Sequence, residues 1–376
     1  MVAQKPSTRA GYHPMLTLGP GINGPASKAL RLDGRLDSGV LSPALHQVLL
    51  NMARLRNVVS SLQIEGEKVD LAEARRVLDT EAPTTPREQE VLRFAKAYTD
   101  LHHRPEPPNL TVERIRRMHR EFFENGTLEE GPIGGFKQIP NGVRDKTTGQ
   151  WVFHATPPEE TEAELEALLE WYHGDALSLP PAVAAGLFFV EFEAIHPFAD
   201  GNGRLGRFLN LVALKHFGFH NACLTPIDGR FFRSGERYYE ALAATNGGGN
   251  YHVWSRYYVK ELLRAYEIAD QRADLRTLLE VHTKPTTQDV LKWVLSGGAS
   301  WFVHSDYPNP KGFSSTAVSI ALSELVKEHV LEAEGEKRGR RYRLHPQFLT
   351  RLYNADFLGD TPSRLRQGAQ SGRPPT

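Results

Sequence analysis

Apolar positions recur at helical spacing over most of this chain. In "SPALHQVLLNMARLRNVVSSLQIEG", Leu45, Val48, Leu49, Met52, Leu55 and Val59 fall on one helix face. Ser42 suits the N-cap, Pro43 the first helical position and Gly66 the stop. Helical patterns dominate again from "TVERIRRMHREFFENG" to "YHVWSRYYVKELLRAYEIADQRADLRTLLEVH". Within that span, "PPAVAAGLFFVEFEAI" opens on proline and is Ala-rich without alternation, so it reads as a helix. Leu205, Phe208, Leu209, Val212 and Ala213 mark a second helix face, ended by Gly218. Residues 131–158 break the pattern. There β-formers (Ile139, Val143, Trp151, Val152 and Phe153) alternate with Gly and Pro, which predicts a hairpin loop.

Both ends differ from the middle. Residues 1–35 are rich in Gly, Pro and polar residues and read as an irregular N-terminal arm. The tail 351–376, with "TPSRLRQGAQSGRPPT", is expected to be disordered. Before it, Ser314 and Ser315 can start a helix carrying Val318, Ala321, Leu322 and Leu325. Val330 to Ala333 and Tyr342 to Leu344 then form a hairpin around "EGEKRGRR". This order predicts a winged helix-turn-helix, with Lys337, Arg338, Arg340, Arg341 and Arg343 as a basic wing for DNA phosphates. The presumed recognition helix is poor in Arg, Asn and Gln, so a protein-interaction module is the competing reading.

Composition narrows the classes. Lys+Arg 45 balances Asp+Glu 45, so no global field draws the protein to nucleic acid or membrane. The single Cys223 excludes an internal disulfide framework and a cysteine-based zinc site. No segment approaches a membrane span and the N-terminus has no apolar signal region, so a cytoplasmic protein without a membrane partner is expected.

The chemistry concentrates in "HPFADGNGRLGR", His196 to Arg207. Gly201, Gly203 and Gly206 spell a dinucleotide-binding turn, but a helical pattern precedes them where a strand is needed. Asp200 and Asn202 hint at a calcium loop, yet Arg204 takes a ligand position and no glutamate closes the loop. A phosphate cradle at a helix N-terminus fits better. Asp200 can hold Mg²⁺, and Asn202 offers an amide. Arg204 and Arg207 reach one side as phosphate forks, and His196 stands where a base would take a proton from an attacking hydroxyl.

This stretch resembles the signature of the Fic proteins, H-P-F-x-[DE]-G-N-G-R-x-x-R, at every specified position. The resemblance implies a mainly α fold: a Fic-type helical core with a β-hairpin flap, here followed by the small winged helix-turn-helix domain. It implies transfer of AMP from ATP to a Ser, Thr or Tyr hydroxyl of a target protein, or of the protein itself. His196 would be the general base and Asp200 the magnesium ligand. Gly201, Asn202 and Gly203 would form the α/β-phosphate anion hole, Arg204 would hold the β-phosphate and Arg207 the γ-phosphate. Leu205 and Gly206 lie within the same nucleotide-binding stretch. Family variants that phosphorylate carry Lys in place of Gly203, so glycine here leans toward nucleotide transfer.

Three further stretches extend the resemblance. "FKQIPNG", Phe136 to Gly142, is similar to the flap that pins the target segment by strand-like pairing, with Ile139 and Gly142 in its pattern. "RYYEALAATN" resembles the nucleoside pocket, which implicates Tyr238, Tyr239 and Asn246. "SLQIEG" matches the family's inhibitory motif [ST]-x-x-x-E-[GN]. Carried over, Glu65 would occupy Arg207 with Ser61 anchoring the helix end, a brake worth about 1.5–3 kcal/mol or ten- to a hundred-fold. The expected organisation is an arm (1–35), an inhibitory helical region (36–108), a Fic core (109–270), a winged helix (271–350) and the tail. Family members often dimerise, so a homodimer is a further expectation. Alternatives are a DNA-binding regulator that senses nucleotide through the core, another donor such as UTP, and removal of AMP from targets.

Overall fold

The computed structural model describes residues 3–5, 7–8, 10–37, 43–124, 128, 131–144, 151–246, 250–273, 284–297, 301–336, 339–345 and 348. Backbone contacts divide the chain into two compact units, 1–40 with 53–267, and 41–52 with 268–376.

The first unit is built around α7 (Pro181–Ile195), whose apolar residues face all directions and are buried almost without exception. A helix apolar all round must be enclosed. It is enclosed by α1 (Pro20–Arg35), α6 (Thr161–His173), α8 (Asn202–His216) and α10 (Glu236–Asn246). Around these lie α3 (Leu71–Thr80), α4 (Pro86–His103), α5 (Val112–Phe123), α9 (Ile227–Ser234) and most of α11 (Tyr251–Ala273). Local chemistry sets several starts. Asp70, Thr85 and Thr111 each accept the backbone N–H three residues on, and Pro86 follows Thr85 at the first helical position.

The N-terminal residues are not an irregular arm. Ala3–Gln4 form β1, and Pro20–Arg35 form a helix that buries Ile22, Ala26, Ala29 and Leu32 toward α7. Gly21, Gly24, Pro25 and Gly34 weaken the intrinsic helix signal, and burial against α7 overrides it. Asp33 at its end is buried too, accepting from Asn221 N at 2.9 Å and Tyr266 OH at 2.7 Å.

The predicted hairpin is present as β2 (Gly142–Arg144) antiparallel to β3 (Trp151–His154), with Val143 opposite Phe153. β1 adds a parallel third strand to β3, so the order is β1-β3-β2. Lys5, just after β1, is buried between Glu164 at 2.5 Å and Glu191 at 2.7 Å, which ties this edge to α6 and α7.

The helix α2 (Pro43–Ile64) groups with the second unit up to Met52 and with the first from Ala53. Its predicted cap Ser42 and the side chain of Leu45 lie outside the described residues. Gly66, at φ 91°, follows its end.

The second unit contains α12 (Pro285–Gly297), α13 (Ser315–Lys327) and a three-stranded antiparallel sheet. The strands β4 (Phe302–Val303), β5 (Leu331–Glu334) and β6 (Arg341–Leu344) run in the order β4-β6-β5. Ser314 caps α13, whose Val318, Ala321, Leu322 and Leu325 are buried. The basic hairpin is less available than its sequence suggests. Arg341 pairs with Glu334 and Arg343 with Glu332, and both guanidinium groups stack on Trp301 at 4.8 and 4.6 Å. Lys337, Arg338 and the tail from 351 lie outside the described residues. Among the described residues, no helix is long and apolar enough to cross a membrane.

Candidate functional site

The site lies at the junction of α7 and α8. His196 ends α7 in the left-handed conformation, φ 51°, with its N–H still on Phe192 O at 3.0 Å. Its Nδ1 faces the Glu193 carbonyl at 3.2 Å. A carbonyl only accepts, so Nδ1 carries the proton and Nε2 of the neutral ring keeps its lone pair. Burial, helped by the Lys137 charge, pushes the imidazole down to about 4, so the ring is neutral near pH 7.

The loop between the helices is held from three sides. Asn202 accepts from Phe198 N at 2.8 Å and donates to Phe198 O at 2.7 Å. Its amide thus holds the loop with its oxygen and one of its two N–H donors. His119 of α5 accepts Gly134 N–H on Nδ1 at 2.9 Å and donates from Nε2 to Asp200 O at 3.0 Å. Its ring stacks on Phe198 at 3.9 Å, and burial keeps it neutral by lowering it to about 4. From the base of the hairpin, Lys137 donates to Ile195 O and His196 O, each at 2.9 Å, and to Asn141 Oδ1 at 2.8 Å. Burial lowers Lys137 to about 7. Asn141 reaches the loop as well, donating to Phe198 O at 2.8 Å.

Gly201 is dictated by its conformation and by crowding, whereas Gly203 is crowded mainly by the movable end of Glu65. Gly201 has φ 81°, and a Cβ there would stand 2.7 Å from the Phe123 ring. On Gly203 it would stand 2.3 Å from Glu65 Oε1. No side chain caps α8, so the N–H groups of its first turn, and its positive dipole end, are available to an anion. Leu205, within the same stretch, has a fully buried side chain, and its N–H bonds Gly201 O at 3.0 Å.

The two arginines have different surroundings. Arg204 is buried, with Nη1 on Glu90 at 2.9 Å, Nη2 on Asp200 at 3.1 Å and its face over Phe123 at 4.7 Å. It therefore orients Asp200 as well as the turn. Arg207 points Nε to Ser61 Oγ at 2.8 Å and Nη2 to Ser61 O at 2.9 Å and Glu65 Oε1 at 2.6 Å. Burial alone would disfavour its charge, but Glu65 and weaker neighbours overcome that and raise it. Glu65 is likewise held below the usual carboxylate range by Arg207, against the opposing effect of burial. Its side chain is 37% exposed, so solvent screens the pair.

The remaining candidates divide. Tyr239 is exposed and its hydroxyl donates to Ile64 O at 3.0 Å, joining α10 to the end of α2. Tyr238 is buried and stacks on Phe231 at 5.1 Å, a core position. Asn246 ends α10, and its side chain lies outside the described residues. Ile139 is exposed on the hairpin approach, and Gly142 pairs with His154 at the start of β2. Lys137, His119, Glu90 and Glu193 escaped the sequence reading. The apolar periodicity of "RIRRMHREFF" places His119 on the buried face of α5, which was the one available signal.

Comparison with known proteins places this geometry in a family. Residues 109–214 match the family model described as Fic/DOC family. A Fido domain-containing protein of Dictyostelium discoideum is 38% identical over 111 residues, covering 27% of this chain and 76% of that protein. A protein adenylyltransferase of Caenorhabditis elegans is 26% identical over 202 residues, 51% of this chain and 36% of the relative. The crystal structure of a Fic family protein from Desulfovibrio desulfuricans superposes with a TM-score of 0.60 at 22% identity, covering 89% of this chain and 99% of the other. A helical core with an uncapped glycine turn and paired arginines thus defines the class, and the chain belongs to the Fic/Fido family. The chain spans less than half the length of the adenylyltransferases it matches first.

Proposed function

We propose that this chain is a protein adenylyltransferase, moving AMP from ATP to a hydroxyl side chain of a target protein or of itself. The observation that carries the reading is the neutral His196, its Nδ1 held by the Glu193 carbonyl and Nε2 left as the base, six residues before the uncapped start of α8, with Arg207 in the following turn. The target hydroxyl oxygen forms a bond to the α-phosphorus, and the bond to the pyrophosphate oxygen breaks. The hydroxyl proton passes to His196 Nε2 and pyrophosphate leaves. The N–H groups of Gly203 and its neighbours face the charge that develops on the phosphate. The exposed hairpin approach at Ile139 would carry the target segment as an added strand.

The residues present fit a magnesium ion brought in with the phosphates. Among the described residues there is no cluster of three or more protein ligands, and Asp200 offers a partly open carboxylate beside the turn. That matches the habit of Mg²⁺, one carboxylate plus phosphate oxygens and waters. When bound, the ion would offset phosphate charge next to Asp200.

The same geometry supports autoinhibition. Glu65 holds the arginine that a γ-phosphate needs, so ATP would dock without its clamp while α2 keeps its place. Incubation with labelled ATP or UTP and Mg²⁺, followed by mass spectrometry of the protein and of lysate proteins, tests the reading. AMP adducts on hydroxyl side chains are expected; their absence with both wild type and Glu65→Gly, or UMP adducts alone, would overturn it.

A further inference from the structure

One carboxyl beside this site takes no part in the chemistry above. Glu193 lies on α7 one turn before His196, and its side chain covers Gly206 of α8. A Cβ on Gly206 would stand 2.0 Å from Glu193 Oε1, so glycine there makes room for the carboxyl. That oxygen is buried and has no hydrogen-bond partner in the protein. Arg207, its nearest cation, directs its hydrogen bonds to Ser61 and Glu65 instead. A buried carboxyl oxygen without a partner is costly and rare, and at the edge of a ligand site it marks a group that a ligand completes.

Its position indicates which part of a nucleotide that is. The phosphates belong to the first turn of α8 and to Arg207, whose own hydrogen bonds leave Glu193 aside. Helix α10 also packs on α7 and carries Tyr238 and Tyr239. The hydroxyls of both are pushed up, first by burial, with Glu193 among the neighbouring acidic groups that add to it, after Glu65 in the case of Tyr239. Only Tyr239 of the two has an exposed ring against which a base can lie. Between phosphates and base lies the sugar.

We propose that Glu193 is a specificity-determining residue of the nucleotide site, accepting a hydrogen bond from a ribose hydroxyl, or donating one to it, through its unpartnered Oε1. A ribose hydroxyl both donates and accepts, so it suits the carboxyl in either protonation state. Burial, reinforced by Glu65 and opposed by Arg207, pushes Glu193 up to about 8, so near neutral pH it presents one donor and one acceptor to the diol. The chain would thereby select ribonucleotides over deoxyribonucleotides.

This inference rests on the nucleotide-transfer reading, and one titration series separates the two. Full-length Glu65→Gly protein, with Arg207 released, is titrated calorimetrically in Mg²⁺ with ATP, 2′-deoxy-ATP, 3′-deoxy-ATP and inorganic tripolyphosphate. ATP is expected to bind about tenfold more tightly than at least one deoxy analogue, the equivalent of one hydrogen bond. Adding Glu193→Met, which keeps the side-chain length without the oxygens, should bring ATP and the analogues within about twofold of each other. Tripolyphosphate affinity should not change. Glu193→Ala gives a second variant, and a cooperative thermal melt establishes that each is folded. Equal binding of ATP and both analogues with Glu193 intact would overturn the proposal, as would discrimination that survives its removal. A matching loss of tripolyphosphate affinity would overturn it too, by showing that Glu193 acts through Arg207. No ATP binding by folded protein would overturn the nucleotide reading itself.

Discussion

Arg207 and Glu65, separated by 142 residues, meet in a hydrogen-bonded ion pair at 2.6 Å, with Ser61 taking the arginine's Nε at 2.8 Å. The pair couples the end of α2 to α8, and Tyr239 bonded to Ile64 O fastens the same helix end from α10. Replacing Glu65 by Gly should raise initial rates of pyrophosphate release about tenfold and at most about a hundredfold. The lower figure is favoured because Glu65 is 37% exposed and its pair is screened. Arg207→Ala should abolish the gain, so the double variant should be no faster than Arg207→Ala alone. Unchanged initial rates in Glu65→Gly would rule out the brake, even where total modification rises through slower AMP removal.

His196→Ala should lower transfer by roughly 10²–10⁴-fold while ATP affinity, read by calorimetry, stays within a few-fold. The pH profile adds a sharper check. Burial holds His196 near 4, below the usual 6.5, so the base form persists well into acid. Rates in the Glu65→Gly protein should stay level from neutral pH to about one unit above that value. An acid limb centred on 6.5 would contradict the buried geometry. The sign for stability follows: between 6.5 and about 4 the unfolded chain takes up a proton that the folded one refuses, so His196 lowers stability as pH falls through that window.

Asp200→Ala should abolish transfer without lowering the melting temperature by more than a few degrees, and chelation by EDTA should do the same to the intact protein. Metal-independent transfer would show that Asp200 only anchors Arg204, with which it pairs at 3.1 Å.

Lys137→Met removes the donors that pin Ile195 O and His196 O. Leaving Ile195 O without this donor, and His196 O with only Asn141 Nδ2 at 3.4 Å, should cost about 1–3 kcal/mol, visible in denaturant melts. Transfer should fall more than tenfold, because the backbone that aims His196 loses its anchor. Full activity with lowered stability would limit Lys137 to a structural part.

In the second unit, Glu332→Gln with Glu334→Gln should free Arg343 and Arg341. If this hairpin faces DNA, the log–log salt slope of binding in gel shifts should steepen by roughly −0.9 for each arginine released. An unchanged slope, or no shift at low salt, would favour a protein-interaction module.

What the chain discloses by itself depends on whether the information is contiguous. Helix faces such as Val318, Ala321, Leu322 and Leu325, and the turn from His196 to Arg207, are written in neighbouring residues, because periodicity and backbone sterics act locally. The Gly201 conformation and the uncapped start of α8 follow from the same few positions. Helix α1 was hidden, since its glycines and prolines oppose helix formation until α7 buries Ala29 and Leu32. The polar partners of the site were hidden for a different reason. Glu90 meets Arg204, His119 the Asp200 carbonyl, Lys137 the carbonyls of α7, and Glu193 the floor beneath Gly206. Each of these residue types is common on a solvated surface, and only packing takes them out of water, where an unpaired group is costly and a paired one is fixed. Local spacing therefore determined where the reacting groups lie along the chain, and tertiary burial decided which side chains hold them, at what charge, and with Arg207 already engaged by Glu65.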